Sequence, residues 1–210
     1  MSVDLPSAIT VTQLRVGQLA AVELPIHLYL VDHPEARILV DTGLTCETPE
    51  AADLAPSLVP VAEWGLDLDS VTAVVNTHLH FDHCGGNWMF PGRPIYVQQR
   101  ELADARTQAD YTIPEWVDPP GVSLDYRPLR GPMEIIPGVR LLPAPGHTPG
   151  SQIVEVATEA GTVVIVGDTA IWSGQLDQPE TPGQRLVRSL DPVQVWLAHQ
   201  TEPWRPADLN

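Results

Sequence analysis

The chain has 210 residues, which is long enough to bury a hydrophobic core without disulfides and predicts one domain over residues 1–210. Its 27 acidic residues outnumber 11 basic residues, all of them arginine, and the formal net charge is −16. A field of that sign repels phosphate backbones and anionic lipid surfaces, so the charge disfavours nucleic acid and membranes as partners.

Short runs of β-branched and apolar residues, separated by Gly, Pro, Asp or Asn, predict strands along most of the chain. In chain order they are 8–16, 26–31, 37–43, 71–77, 94–98, 138–146, 151–157, 161–168 and 193–199. Helical patterns fall at about 49–64, 98–108 and 182–190. The proline-rich stretch 109–132 is predicted to be a long surface loop. This order predicts sheets covered by helices in one layered domain.

The first residues carry no basic segment followed by an apolar one, and no run approaches the length of a membrane helix. We therefore expect a cytoplasmic protein. Two cysteines, Cys46 and Cys84, are too few for a disulfide framework and fit reduced thiols. Cys84 adjoins a histidine cluster, where a soft metal ligand is conceivable, but a small packed side chain is the preferred interpretation.

Polar residues that can bind metals stand at the carboxyl ends of five predicted strands. A rigid sheet presents such side chains at one edge, where short loops let them converge. The residues are Asp41, the cluster that begins at His78, His147, Asp168 and His199. One such residue would mean little, but five separate strand ends form a pattern that predicts a common site.

The stretch "THLHFDHCGG" places three histidines and an aspartate within six residues. In an extended segment His78 and His80 point the same way, and Asp82 and His83 follow at a turn that the two glycines permit. One cluster would therefore serve two metals. Imidazole and carboxylate ligands favour zinc, with iron, manganese or cobalt as alternatives. The predicted sets are His78, His80 and His147 for one ion and Asp82, His83 and His199 for the other, with Asp168 able to bridge them.

The motifs "THLHFDH", "PGHTPGS", "GDTA" and the final "AH" resemble those of the metallo-β-lactamase superfamily over nearly the whole chain. The resemblance implies an α+β fold, an αββα sandwich of two facing mixed sheets flanked by helices, with two metals at one edge of the sheets. It implies the same two ligand sets and the Asp168 bridge. It also implies that Asp41 is a non-ligating aspartate that supports the histidines.

Two metal ions of this kind share a hydroxide that attacks a carbonyl or phosphoryl group at neutral pH. We therefore expect a hydrolase acting on a small molecule with an ester, lactone or thioester carbonyl. Asp82 or a metal-bound water is the predicted proton shuttle, and Asp168 is catalytic through its bridging position. The alternatives are a glyoxalase-II-like thioesterase, a phosphodiesterase, which the charge disfavours, and a metal-binding protein without catalysis. Self-association into a homodimer stays open.

Within the superfamily, the closest resemblance is to the N-acyl homoserine lactonases, which share the run "HLHFDH" followed by a small residue and "GGN". Those enzymes have a tyrosine where this chain has Ile171 and an aspartate where it has Gln200. Three residues are candidates to take over the role of that missing tyrosine: Tyr111, Tyr126 and His27. Together with Ile171, Trp88 is a candidate for an apolar substrate pocket beside the metals.

Overall fold

The computed structural model describes residues 8–206 and contains two β-sheets. The first sheet has seven strands in the order β4-β1-β2-β3-β5-β6-β7. Its strands are β1 (Thr10–Leu19), β2 (Leu24–His33), β3 (Ala36–Val40), β4 (Pro56–Leu58), β5 (Ala73–Val75), β6 (Pro94–Gln98) and β7 (Asp125–Leu129). Strands β3, β5, β6 and β7 pair in parallel and the others are antiparallel, so the sheet is mixed.

The second sheet has five strands in the order β12-β11-β10-β9-β8. Its strands are β8 (Met133–Ile136), β9 (Val139–Pro143), β10 (Gln152–Thr158), β11 (Gly161–Ile165) and β12 (Gln194–Trp196). Only β11 and β12 pair in parallel. Five α-helices connect the strands: α1 (Phe81–Cys84), α2 (Gln99–Thr107), α3 (Pro114–Val117), α4 (Gly174–Asp177) and α5 (Pro182–Ser189).

Alternate residues of the strands enter different hydrophobic cores, which shows that both faces of each sheet are covered. In β2, Tyr29 and Val31 belong to a core that also contains Val154 and Ile165 of the second sheet, so the two sheets face each other. Leu28 points the other way, into a core that includes residues of α2 and α3. A third core packs the outer face of the second sheet against α4 and α5. The predicted αββα sandwich is confirmed.

Most of the predicted strands are present, and so are two of the three predicted helices, as α2 and α5. Helix α5 begins with a capping box in which Thr181 accepts from the Gln184 backbone and the Gln184 side chain accepts in return, with Pro182 at its first turn. The helix predicted over 49–64 is wrong. That segment forms 3-10 turns at Pro49–Leu54 and Val61–Glu63 with β4 between them. Pro56 and Pro60 prevent a continuous helix there.

The prediction of a long surface loop over 109–132 is partly wrong, because this stretch contains α3 and β7. Strand β8 was also not expected from the sequence. Cys84 is fully buried and its thiol donates to the carbonyl of Leu79, which agrees with a packed side chain. Among residues 8–206, no helix has both the length and the apolar character needed to cross a membrane.

Candidate metal centre

The polar residues at the strand ends meet at one edge of the sandwich. Asp41 follows β3, and the His78 cluster follows β5, which runs parallel to β3. In the second sheet His147 follows β9, Asp168 follows β11 and His199 follows β12. Parallel neighbours end at the same edge, so these loops are brought together by the topology alone. The first sheet thus supplies one part of the site and the second sheet supplies the other.

The segment after β5 changes direction within a few residues. His78 and His80 lie before helix α1, and Asp82 and His83 lie within it. The two glycines that follow are required for space: a Cβ on Gly85 would lie 2.7 Å from a backbone oxygen, and one on Gly86 would lie 2.5 Å from another. The predicted role of these glycines as turn residues is therefore refined, because α1 packs directly on the loop after β3.

The structure brings together both ligand sets predicted from the sequence. Ligand atoms lie within 4.8 Å of one another in each of three groups, which are His78, His80 and His147, then Asp82, His83 and His199, and then His78, His83 and Asp168. Asp168 stands between the two sets. Its Oδ2 lies 3.4 Å from His147 Nε2, and its Oδ1 lies 3.2 Å from His199 Nε2. Each carboxylate oxygen therefore faces a different set.

Several polar atoms of this cluster have no hydrogen-bond partner although they are buried. They are Nε2 of His78, Nε2 of His83 and Oδ1 of Asp168. Such atoms are costly unless something else pairs with them. All three are atoms of the kind that bind divalent metals, and all three point into the cluster, so the residues fit a divalent metal site.

The opposite ring nitrogens are held by acceptors, which fixes the ring orientation. His199 Nδ1 lies 2.8 Å from the carbonyl oxygen of Pro25, and His83 Nδ1 lies 2.9 Å from Oδ2 of Asp41. A carbonyl or carboxylate oxygen only accepts, so Nδ1 carries the proton and Nε2 keeps its lone pair for a metal. Asp41 also accepts from the backbone N–H and hydroxyl of Thr77. It has φ of +60°, a left-handed conformation that aspartate tolerates.

The electrostatics divide the histidines into two kinds. Burial lowers the pKa of His78 well below its ordinary value, and burial together with the neighbouring His147 imidazole lowers the pKa of His80 to about 4. Burial alone would also lower the pKa of His83 and His199, but the neighbouring carboxylates, Asp168 and Asp82 foremost, together outweigh it and raise both pKa values. His78 and His80 are therefore neutral at neutral pH, which is the form that binds metals, whereas at His83 and His199 the carboxylates make a proton a stronger competitor of a metal.

The candidate substrate residues lie in different environments. Trp88 is 47% exposed and its ring N–H donates to Thr45, and Ile171 is half-buried in the loop after Asp168. Tyr111 packs its ring edge against His80, with 5.3 Å between the ring centroids. His27 is buried, and its Nδ1 lies 3.0 Å from the carbonyl oxygen of Ala198, next to His199.

Sequence reasoning missed Glu101, which is fully buried and contacts the loops of two candidate ligands. It lies in the first turn of α2, in a helical pattern whose acidic residues look solvent-exposed. Nothing in the local sequence separates it from Asp104 on the same helix. Only the contact with chain segments far away in sequence reveals its role.

Comparisons with known proteins agree with this geometry. Residues 21–197 match the metallo-beta-lactamase superfamily. An N-acyl homoserine lactonase of a Bacillus species is 32% identical over 181 residues, which are 76% of this chain and 69% of that protein. A solved N-acyl homoserine lactone hydrolase, with the product N-hexanoyl-L-homoserine bound at the catalytic metal center, has a TM-score of 0.76 at 24% identity, covering 94% of this chain and 95% of its own. A solved quorum-quenching N-acyl homoserine lactone lactonase has a TM-score of 0.74 at 25% identity. The match covers 96% of this chain and 95% of that chain. The chain therefore belongs to the metallo-β-lactamase superfamily.

Proposed function

We propose that this protein is a dinuclear zinc hydrolase that opens lactones or cleaves closely related carboxylic esters. The observation that carries the proposal is the geometry of Asp168, whose two oxygens face different sets of ligands. One carboxylate between two sets is the arrangement expected of a bridge between two ions. The similarity to N-acyl homoserine lactonases supports lactones as the substrate class.

In this proposal His78, His80 and His147 hold one ion, Asp82, His83 and His199 hold the other, and Asp168 contacts both. All donors are imidazole nitrogens or carboxylate oxygens, which suit zinc, and iron, manganese or cobalt are the alternatives. When bound, the ions supply an activated water near neutral pH and a Lewis acid for the carbonyl.

Asp82 is the group of this chain that handles the proton. Its Oδ2 lies 3.5 Å from His199 Nε2 and 3.7 Å from His83 Nε2, which keeps the carboxylate inside the cluster. In ring opening, the water oxygen bonds to the carbonyl carbon and the bond from that carbon to the ring oxygen breaks. Asp82 takes the proton from the water and returns it to the departing ring oxygen, so the products are a carboxylic acid and an alcohol.

The residues beyond the ligands favour a substrate with an apolar part. Trp88 follows α1 and Trp172 follows Ile171, and both indoles are exposed, at 47% and 58%. Large apolar side chains left exposed on segments that follow candidate ligands in the sequence suit the wall of a binding cleft. Ile171 offers no donor to the substrate carbonyl.

Of the two tyrosines considered as replacements for the lactonase tyrosine, only Tyr111 already donates its hydroxyl proton within the protein. The Tyr111 hydroxyl donates to Glu101 over 2.7 Å, and the Tyr126 hydroxyl accepts from Asn87. Burial raises the pKa of both phenols above their ordinary value, so both stay protonated at neutral pH. Tyr126 therefore stays a candidate donor, and His27, with one nitrogen on the Ala198 carbonyl, is the candidate near the second ligand set.

Elemental analysis and a substrate panel test the proposal. Purified protein loaded with zinc should contain two equivalents of metal, and an analysis of the protein as isolated identifies the native ion. The panel compares acyl homoserine lactones, γ- and δ-lactones, an aryl ester, a thioester and bis(p-nitrophenyl) phosphate. Turnover of the thioester or the phosphodiester without any ring opening would reject the lactonase, and two bound metals with no turnover at all would favour a non-catalytic protein.

A further inference from the structure

The side chain of Glu101 is buried with 0% exposure, yet it carries a carboxylate. Burying a carboxylate is costly unless its oxygens accept hydrogen bonds. Oε1 accepts from the backbone N–H of Leu79 over 2.8 Å and from the Tyr111 hydroxyl over 2.7 Å. Oε2 accepts from the Thr148 hydroxyl over 2.6 Å. Three donors from three separate segments therefore converge on one side chain.

Each of those segments touches a ligand of the first predicted set. Leu79 lies between His78 and His80 in the chain. The Tyr111 ring lies against the His80 ring, and Thr148 is the neighbour of His147. Glu101 itself belongs to α2, which lies between β6 and β7 of the first sheet, while Thr148 belongs to the loop between β9 and β10 of the second sheet.

The loop that carries His147 is also pressed against the start of α2. A Cβ on Gly150 would lie 2.3 Å from the backbone nitrogen of Glu101, so only glycine fits there. The Thr148 hydroxyl lies 2.7 Å from Oγ of Ser151, which in turn accepts from the Thr148 backbone N–H. The bond from Thr148 to Glu101 thus anchors a tight, internally bonded turn.

The second predicted set has its own supports, which are Asp41 behind His83 and the Pro25 carbonyl behind His199. Glu101 has no hydrogen bond to Asp41 or to Pro25. We propose that Glu101 is a positioning residue for the first metal set alone, holding the His78–His80 segment and the His147 loop at the spacing that one ion requires. The inference rests on the ligand sets of the proposed function.

The substitution Glu101→Gln tests this with little change of shape. The amide oxygen can still accept from Leu79 and Tyr111, but the negative charge is lost, and the Thr148 hydroxyl must turn round to accept from the amide nitrogen. A neutral hydrogen bond then replaces the charge-assisted bond that anchored the His147 loop. Loss of a group that orients metal ligands lowers metal affinity by about 10- to 100-fold. We expect that loss for one of the two ions and none for the other.

The measurement is competition of zinc with a chromophoric chelator, which resolves the two equivalents without any substrate. Substitution with cobalt(II) adds a spectroscopic readout, because the absorption of the ion in the first set should change. Asp104→Asn is the matched control: it lies on the same helix, is similarly buried, and pairs with Arg100 instead of a ligand loop. It should leave both affinities and the cobalt spectrum unchanged.

Three results would overturn the inference: wild-type affinity for both ions in Glu101→Gln, an equal loss at both, or the same loss in Asp104→Asn. If Glu101→Gln does not fold, Thr148→Val removes the same hydrogen bond from the other side and is judged by the same criteria. Failure of the proposed function looks different. Wild-type protein would then bind fewer than two equivalents or open no lactone, while Glu101 would still be judged by whether the affinity of a bound ion falls.

Discussion

Asp41→Asn isolates the contribution of a single charge behind a predicted ligand. Asn has nearly the same shape and tolerates the φ of +60° found at this position, so the backbone is retained. The amide oxygen can keep the bond from the Thr77 N–H, and the Thr77 hydroxyl can rotate to accept from the amide nitrogen. His83 Nδ1, now 2.9 Å from a carboxylate oxygen, would instead face an N–H.

The size of the effect follows from that one contact. A hydrogen bond to a charged partner contributes about 1.5–3 kcal/mol. To pair with the new N–H, His83 must move its proton to Nε2, the nitrogen that points into the cluster. The proton would then compete with the metal for that nitrogen. We expect affinity for the ion of the second set to fall about 10- to 100-fold, with the first ion unaffected.

Chelator competition on metal-free protein titrated with zinc measures both affinities. Asp32→Asn is the control, because Asp32 pairs with Arg37 and contacts none of the predicted ligands. Unchanged affinity for both ions in Asp41→Asn would refute the assignment of His83 as a ligand through Nε2. Since Glu101→Gln should affect the other ion, the two variants together predict complementary losses.

Three further substitutions, two of them paired with a control substitution, test other parts of the structure. Asp168→Ala should weaken both ions and abolish turnover, whereas Cys84→Ala should leave the metal content unchanged; two full equivalents in the Asp168 variant would contradict its bridging position. Gly167→Ala, with φ of +51° and a Cβ 2.3 Å from a threonine hydroxyl, should lower the free energy of unfolding in urea by about 2–5 kcal/mol. Gly65→Ala, with φ of +68° in open space, should cost only about 1–2 kcal/mol. Tyr29→Phe removes a buried hydroxyl that donates to a carbonyl beside the last ligand loop, and should cost about 1 kcal/mol in the same assay, so an unchanged midpoint would argue against that bond.

The sandwich was accessible from the sequence because its strands are buried on both faces and are therefore short, apolar and β-branched. The convergence of His78, His147 and His199 was accessible for a related reason: each follows such a strand directly. Where a ligand stands next to a strong strand signal, local sequence is enough to predict which edge of the sheet it occupies.

The rest depends on contacts between distant segments. The alanine- and glutamate-rich stretch after Pro49 favours a helix by composition, but its prolines and its pairing with β1 through Pro56–Leu58 decide otherwise. Strand β7 contains Pro128, and only Leu129 of its five residues is buried, so its sequence lacks the apolar pattern that predicts a strand paired with β6. Glu101 looks like any helix-surface acid until the loops that cover it are in place.

Each predicted ligand set takes residues from both sheets, two from the loop after β5 and one from a loop of the second sheet. Under that assignment, each ion cross-links the two layers of the sandwich, and the layers cannot separate without releasing it. Free energy of metal binding then adds to the free energy of folding, by about 2.7 kcal/mol for an ion present at a hundred times its dissociation constant. Resistance of this enzyme to heat and to proteases should therefore follow the free metal concentration around it.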